Sequence, residues 1–227
     1  MLKVHQEKND EVIQKFEERL SVSEEAAVGL ASDVVKNSYE LLSAKNHIVY
    51  LEKAVHSGLQ HGRKWNIEVD GIPNNIGEDP KQLELAALEI LNAINVECES
   101  DDIEAIHRLP SRAPVKPVII RLRSRKTVEA AFENKGKLKN LSTLNLDLAG
   151  INNDSAIYIR PSLCPYYKNL AYNCRQLRKF KQVQNTIVSD DGSVKIKTFD
   201  NMYVKITHEN DLTSRFPDFE HFNFISY

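Results

Sequence analysis

Trp65-Asn66-Ile67-Glu68-Val69-Asp70-Gly71 alternates apolar and polar side chains at period two and stops at the turn Gly71-Ile72-Pro73. That pattern predicts a half-buried β-strand opening a folded region. Asp79-Pro80 then begins a run in which Leu83, Ala87, Ile90, Leu91 and Ile94 share one helical face. Asp79 suits the N-cap and Pro80 the first turn. Ile103 to His107 reads as a short strand ended by Pro110, Val118 to Arg123 as a stronger one, and Thr127 to Phe132 as the core of a second helix. After a polar loop around Asn152 and Asn153, Ile157-Tyr158-Ile159 supplies a last strand. The order βαββαβ is the ferredoxin-like arrangement that RNA-recognition domains also use.

Downstream of Arg160 a helix is entered at Pro165, and two strand-like runs, Thr186 to Ser189 and Val194 to Thr198, join through Asp190-Asp191-Gly192. Asp-Gly between alternating runs signals a hairpin. A third strand, Met202 to Thr207, follows the turn at Asp200-Asn201.

Upstream, Ile13, Leu20, Ala27, Val34, Leu41, Ile48 and Val55 recur every seven residues, the mark of a coiled-coil seam. The companion position reads Phe16, Ser23, Leu30, Asn37, Ala44, Leu51 and Gly58, so the seam weakens in the middle and fails at Gly58. One long helix ending between Gly58 and Gly62 is expected, self-associating through Ile13, Leu20, Leu30, Val34, Leu41, Ile48, Leu51 and Val55. The alternative is an amphipathic helix folded back on its own domain. The mixed seam specifies no number of chains. The expected class is therefore α+β, with a coiled-coil helix over 1–62, an RRM-like domain over 63–160 and a small helix-plus-hairpin domain over 161–227.

The 227 residues carry 30 Lys+Arg against 32 Asp+Glu, which excludes a uniformly basic molecule. Three Cys, none at redox or metal-ligand spacing, favour a reducing compartment, cytosol or nucleus. No apolar run is long enough for a membrane span, so no membrane partner is expected.

Charge is segregated along the chain. From Ile67 to Glu104 eleven acids oppose Lys81 alone, whereas from Ala105 to Lys139 ten bases oppose Glu129 and Glu133. From Arg160 to Lys181 there are six bases and no acid. Lys168, Tyr172, Arg175 and Lys179 form a single helical stripe, beside the apolar stripe of Tyr167, Leu170, Cys174 and Leu177. Alternation sends Arg121 and Arg123 to one face of their strand and puts Tyr158 and Arg160 together on theirs. Cations bind phosphates and tyrosine rings stack on bases, so a single-stranded polyanion is the ligand such residues suit. The candidate contacts are Arg108, Arg121, Arg123, Arg125 and Tyr158, with Arg160, Lys168, Tyr172, Arg175 and Lys179 across a cleft between the two folded domains. The competing reading is a solvated basic face. The central strands carry Asn66, Glu68, Asp70, Ile119, Arg121 and Arg123 where stacking rings would be needed, which disfavours sequence-specific readout on the sheet.

Tyr50-Leu51-Glu52, Arg63-Lys64-Trp65-Asn66-Ile67-Glu68-Val69-Asp70-Gly71-Ile72-Pro73 and Ile106-His107-Arg108-Leu109 together resemble the first-open-reading-frame proteins of LINE-type retrotransposons. Val118-Ile119-Ile120-Arg121-Leu122 with Ser124-Arg125-Lys126 is similar to their third strand and following helix start. Ile157-Tyr158-Ile159, Leu163-Cys164-Pro165 and Cys174-Arg175-Gln176-Leu177-Arg178-Lys179 resemble the C-terminal domain of the baculovirus FP, or few-polyhedra, family and its insect relatives. The resemblance implies an oligomer that binds single-stranded RNA or DNA, with viral or retroelement ribonucleoprotein components as further partners. The alternative it implies is a nucleocapsid- or occlusion-associated structural protein acting through protein contacts. Relatives usually have Thr where Cys164 stands, and the span from Glu52 to Arg63 is longer than theirs, which is expected to loosen the coil from the domain.

No phosphate-binding Gly loop, Gly-x-Ser-x-Gly elbow or His-Glu-x-x-His occurs, so no enzyme, metal or cofactor is expected. Asp190 and Asp191 read as turn residues, and His56 and His61 as exposed. Arg121 to Lys126 would serve as a nuclear signal only at the expense of the strand they build. The aromatic tail, Phe216, Phe219, Phe222, Phe224 and Tyr227, is expected to pack back on its own domain.

Overall fold

The computed structural model describes residues 2–74, 79–111, 113–146 and 154–224, with side chains from residue 11 onward and at Asn9. Glu78, Arg112, the loop at Asn152 and Asn153, and Tyr227 lie outside the described residues. The protein is an α+β chain that divides into two units, residues 1–52 and 53–227.

The first unit belongs to a single helix, α1 (Leu2–His61), whose last turns, from Lys53 on, fall in the second. Its seam residues Ile13, Leu20, Leu30, Val34, Leu41, Ile48, Leu51 and Val55 are all exposed in the single chain.

In the second unit, β1 (Asn66–Asp70), β2 (Ile103–Arg108), β3 (Val118–Leu122) and β4 (Tyr158–Pro161) form one antiparallel sheet in the order β2-β3-β1-β4. Ile67 and Val69 face the core with Val118, Ile120, Leu122 and Ile159, under Leu83, Ala87, Ile90 and Leu91 of α2 (Pro80–Ala93) and Val128 of α3 (Arg125–Asn134). The helix starts follow local chemistry. Asp79 Oδ1 accepts from Lys81 N–H at 3.0 Å, and Ser124 Oγ from Thr127 N–H at 3.5 Å. At the end of β1 Gly71 has φ +101°, and a Cβ there would stand 2.2 Å from the Ala156 carbonyl oxygen. Glycine is what lets the chain entering β4 lie so close.

A second apolar cluster gathers Tyr167, Leu170, Cys174 and Leu177 of α4 (Pro165–Lys179) against a three-stranded antiparallel sheet. That sheet is β5 (Asn185–Val188), β6 (Val194–Lys197) and β7 (Tyr203–Ile206), followed by the short α5 (Glu209–Thr213). Gly192 at φ +78° turns the β5–β6 hairpin, where Asp191 Oδ1 accepts from Ser193 N–H at 2.9 Å. The described tail packs back as expected: Phe216, Phe219, Phe222 and Phe224 lie against the cluster, and buried Asn173 holds both backbone polar groups of Asn223.

Two expectations are corrected. His56 is not exposed: its ring stacks on Tyr166 with centroids 3.7 Å apart. The residues after Glu52 are not loose either, because Lys53 pairs with Asp211 at 3.5 Å and buried Gln60 clasps the segment before α4. Gln60 Nε2 donates to the Ser162 carbonyl and its Oε1 accepts from Cys164 N–H, both at 2.9 Å. Cys164 makes no side-chain cap bond.

Candidate nucleic-acid interface

Because β4 leads directly into α4, residues of the last sheet strand and of the following helix share one hollow. A cleft of about 520 Å³ is lined by Arg160 of β4, Lys168 and Arg175 of α4, and Lys135 just after α3. Its remaining wall includes Glu68, the Leu109–Pro110 segment and Val188. Three of the ten candidate contacts therefore come together, one from the strand face shared with Tyr158 and two from the helical stripe whose other members, Tyr172 and Lys179, do not line the cleft.

The cations there differ in what already neutralises them. Lys168 Nζ lies 2.8 Å from Glu68 Oε1, and Arg160 Nη2 lies 3.3 Å from Glu68 Oε2. Arg160 Nε is also 2.8 Å from Asp70 Oδ2. Lys135 pairs with Asp190. Arg175 alone of the four has no hydrogen-bond or ion-pair partner among the described residues. Partial desolvation lowers its pKa, and the charge of Arg160 lowers it further, so the guanidinium sits where an anion would relieve it. Asp70 is pushed above the usual carboxylate range by burial, which the charge of Arg160 only partly offsets, while Glu68 adds to the rise.

The other candidates stand elsewhere. Arg108 donates to the carbonyls of Ile72 (3.0 Å), Lys116 (2.8 Å) and Pro73, so it ties two loops together. Arg121 pairs with Glu104 at 2.8 Å on an exposed face, a contact of little energetic weight. Arg123 is exposed just beyond β3, and Tyr158 is exposed on the edge strand β4. Arg125 pairs with Glu129 at 3.0 Å beside a second hollow of about 250 Å³, which Arg63 and Lys64 also line. Tyr172 and Lys179 are exposed on α4 outside the cleft, with Lys179 Nζ 5.9 Å above the Phe180 ring.

Lys135 was missed as a contact although it lies in the basic tract, because its position depends on where α3 ends. The pairing of Glu68 and Asp70 with Arg160 was foreshadowed by alternation: all three project from the sheet face opposite the core.

Burial pushes the Cys174 thiol up to about 12 and the Cys98 thiol to about 11, so both are protonated at neutral pH. Among the described residues no group of three or more His, Cys, Asp or Glu side chains could hold a metal ion, and no helix is long and apolar enough to cross a membrane. No protein-family model and no curated protein matches the chain.

Proposed function

We propose that this chain is a non-enzymatic, self-associating protein that binds single-stranded nucleic acid, mainly through phosphate contacts in the cleft between an RRM-like domain (63–160) and a C-terminal domain (161–227). The observation that carries the reading is the convergence of Lys135, Arg160, Lys168 and Arg175 on one cleft in which Arg175 has no ion-pair partner among the described residues. The strand order β2-β3-β1-β4 supports the RRM-like assignment, since a βαββαβ chain of ferredoxin-like topology pairs its strands in that order. Self-association is supported by the unbroken apolar heptad column of α1, exposed in one chain. The family proposed is that of the LINE-type first-open-reading-frame and baculovirus FP proteins, in the cytoplasm or nucleus. Affinity for a labelled single strand across a salt series tests the reading, because phosphate contacts release counterions and each contributes about 0.7 to the slope of log affinity against log salt.

A second reading, a viral structural protein acting through protein contacts, is favoured by the exposed apolar side chains of Phe199, Met202 and Tyr203 around the β6–β7 turn. It predicts no dependence of strand binding on Arg175.

A further inference from the structure

The cleft already contains anions of its own. Glu68 stands in the middle of β1 with only 1% of its side chain exposed. Its carboxylate takes Lys168 Nζ at 2.8 Å, Arg160 Nη2 at 3.3 Å and the Ser162 hydroxyl at 3.1 Å. Two residues on, Asp70 takes the same guanidinium through Nε at 2.8 Å and Nη2 at 3.1 Å. Two carboxylates and two cations thus cancel. An Arg fork and a Lys ammonium meet a carboxylate with the same charge-assisted hydrogen bonds that they offer a phosphate. The side chains of Arg160 and Lys168 are 48% and 44% exposed, so a ligand reaches them from solvent while Glu68 stays behind them.

Building on the reading of this cleft as a strand-binding site, we propose that Glu68 and Asp70 are its internal counter-anions, determining affinity by occupying the anion-binding sides of Arg160 and Lys168. A phosphate entering the cleft must share these cations with a fixed carboxylate, whereas Arg175 meets it without competition. The protein then binds single strands weakly enough to release them, and its affinity is set from beneath the cleft by residues the ligand does not touch. If the pairs served only to fasten α4 to the sheet, neutralising the carboxylates would loosen the cleft and weaken binding.

The test is a salt series with a labelled single-stranded thymidine oligonucleotide and the full chain as wild type, Glu68→Gln and Asp70→Asn, each checked for folding by circular dichroism. Glu68→Gln, which frees Lys168 and one side of the Arg160 guanidinium while Asp70 keeps the other, is expected to tighten binding severalfold at low salt and to steepen the slope by up to about 1.4. Asp70→Asn, which releases one side of one guanidinium, is expected to steepen it by up to about 0.7. If wild type binds and the folded variants bind equally or more weakly, or with unchanged slope, the counter-anion proposal is overturned and the cleft reading stands. If none of the three binds, both fall. Binding by the variants but not by wild type contradicts the cleft reading of the natural chain and overturns the proposal that rests on it. Should Glu68→Gln not fold, Asp70→Asn decides alone, since its carboxylate is partly exposed and its loss buries no unpaired group.

Discussion

At the residue scale, backbone sites that favour glycine and carboxylates that collect N–H donors fix the local geometry of turns and helix starts. Gly71 combines φ +101° with a backbone oxygen 2.2 Å from where a Cβ would stand, and a carbonyl cannot step aside as a side chain can. At Gly192, φ +78°, the obstructing atom is Gln60 Nε2, a side-chain amide that can give way by surrendering its bond to Ser162. Gly71→Ala should therefore cost more than Gly192→Ala, with strain of about 1 to 3 kcal/mol at each before the clash is added. Urea melts of the two variants measure the difference, and equal losses would contradict the close approach. Asp211 is the opposite kind of site. Burial disfavours its charge, yet hydrogen bonds from the Thr207 N–H and hydroxyl and the His208 N–H, with Lys53 nearby, hold its pKa below the usual carboxylate range. A depressed pKa contributes stability that is full above the unfolded-state value of about 3.9 and is lost as pH falls through the lower folded value. Asp211→Ala should cost about 1 to 3 kcal/mol at neutral pH, and the gap from wild type should close in acid melts below about pH 4.

At the scale of elements, starts and turns were legible in the sequence because their causes are local. Asp79-Pro80 announces α2, Asp191-Gly192 the β5–β6 turn, and alternation assigns Ile67 and Val69 to the core face of β1. The last strand was read as Ile157 to Ile159, but β4 runs Tyr158–Pro161. It lies at the sheet edge, where a proline costs no ladder bond on the open side, so the strand can take in Pro161 as its last residue. Contacts between distant parts left no local trace: nothing around His56 signals a stack on Tyr166, and nothing around Arg108 tells which carbonyls will surround it. The face carrying Glu68 and Asp70 was legible, but not that α4 and Ser162 cover Glu68, because that depends on packing across roughly a hundred residues. The docked end of α1 has a consequence for truncation. A chain of residues 53–227 keeps Gln60 and should melt as the full chain's folded unit does, while losing the proposed self-association through the heptad column. A chain of 63–227 exposes or leaves unpaired the Ser162 carbonyl and Cys164 N–H and should lose about 2 to 4 kcal/mol. Calorimetry with sedimentation separates the two, and equal melting of both fragments would contradict the role assigned to Gln60.

On the scale of the whole molecule, a net charge of -2 hides an arrangement in which acids of β1 neutralise some bases and leave others uncompensated. Of the stripe read from the sequence, Lys168 is tied to Glu68, Tyr172 and Lys179 face solvent outside the cleft, and Arg175 alone is both in the cleft and without an ion pair among the described residues. Removing Arg175 should therefore change binding without changing stability, since no ion pair is lost. That makes the salt dependence of single-strand binding by wild type and Arg175→Ala the most direct measurement of the central claim. The account predicts salt-sensitive binding by wild type and, in the variant, weaker binding with a slope shallower by about 0.7 at unchanged melting temperature. Binding that is flat across salt, or identical slopes and affinities in the two proteins, would contradict it.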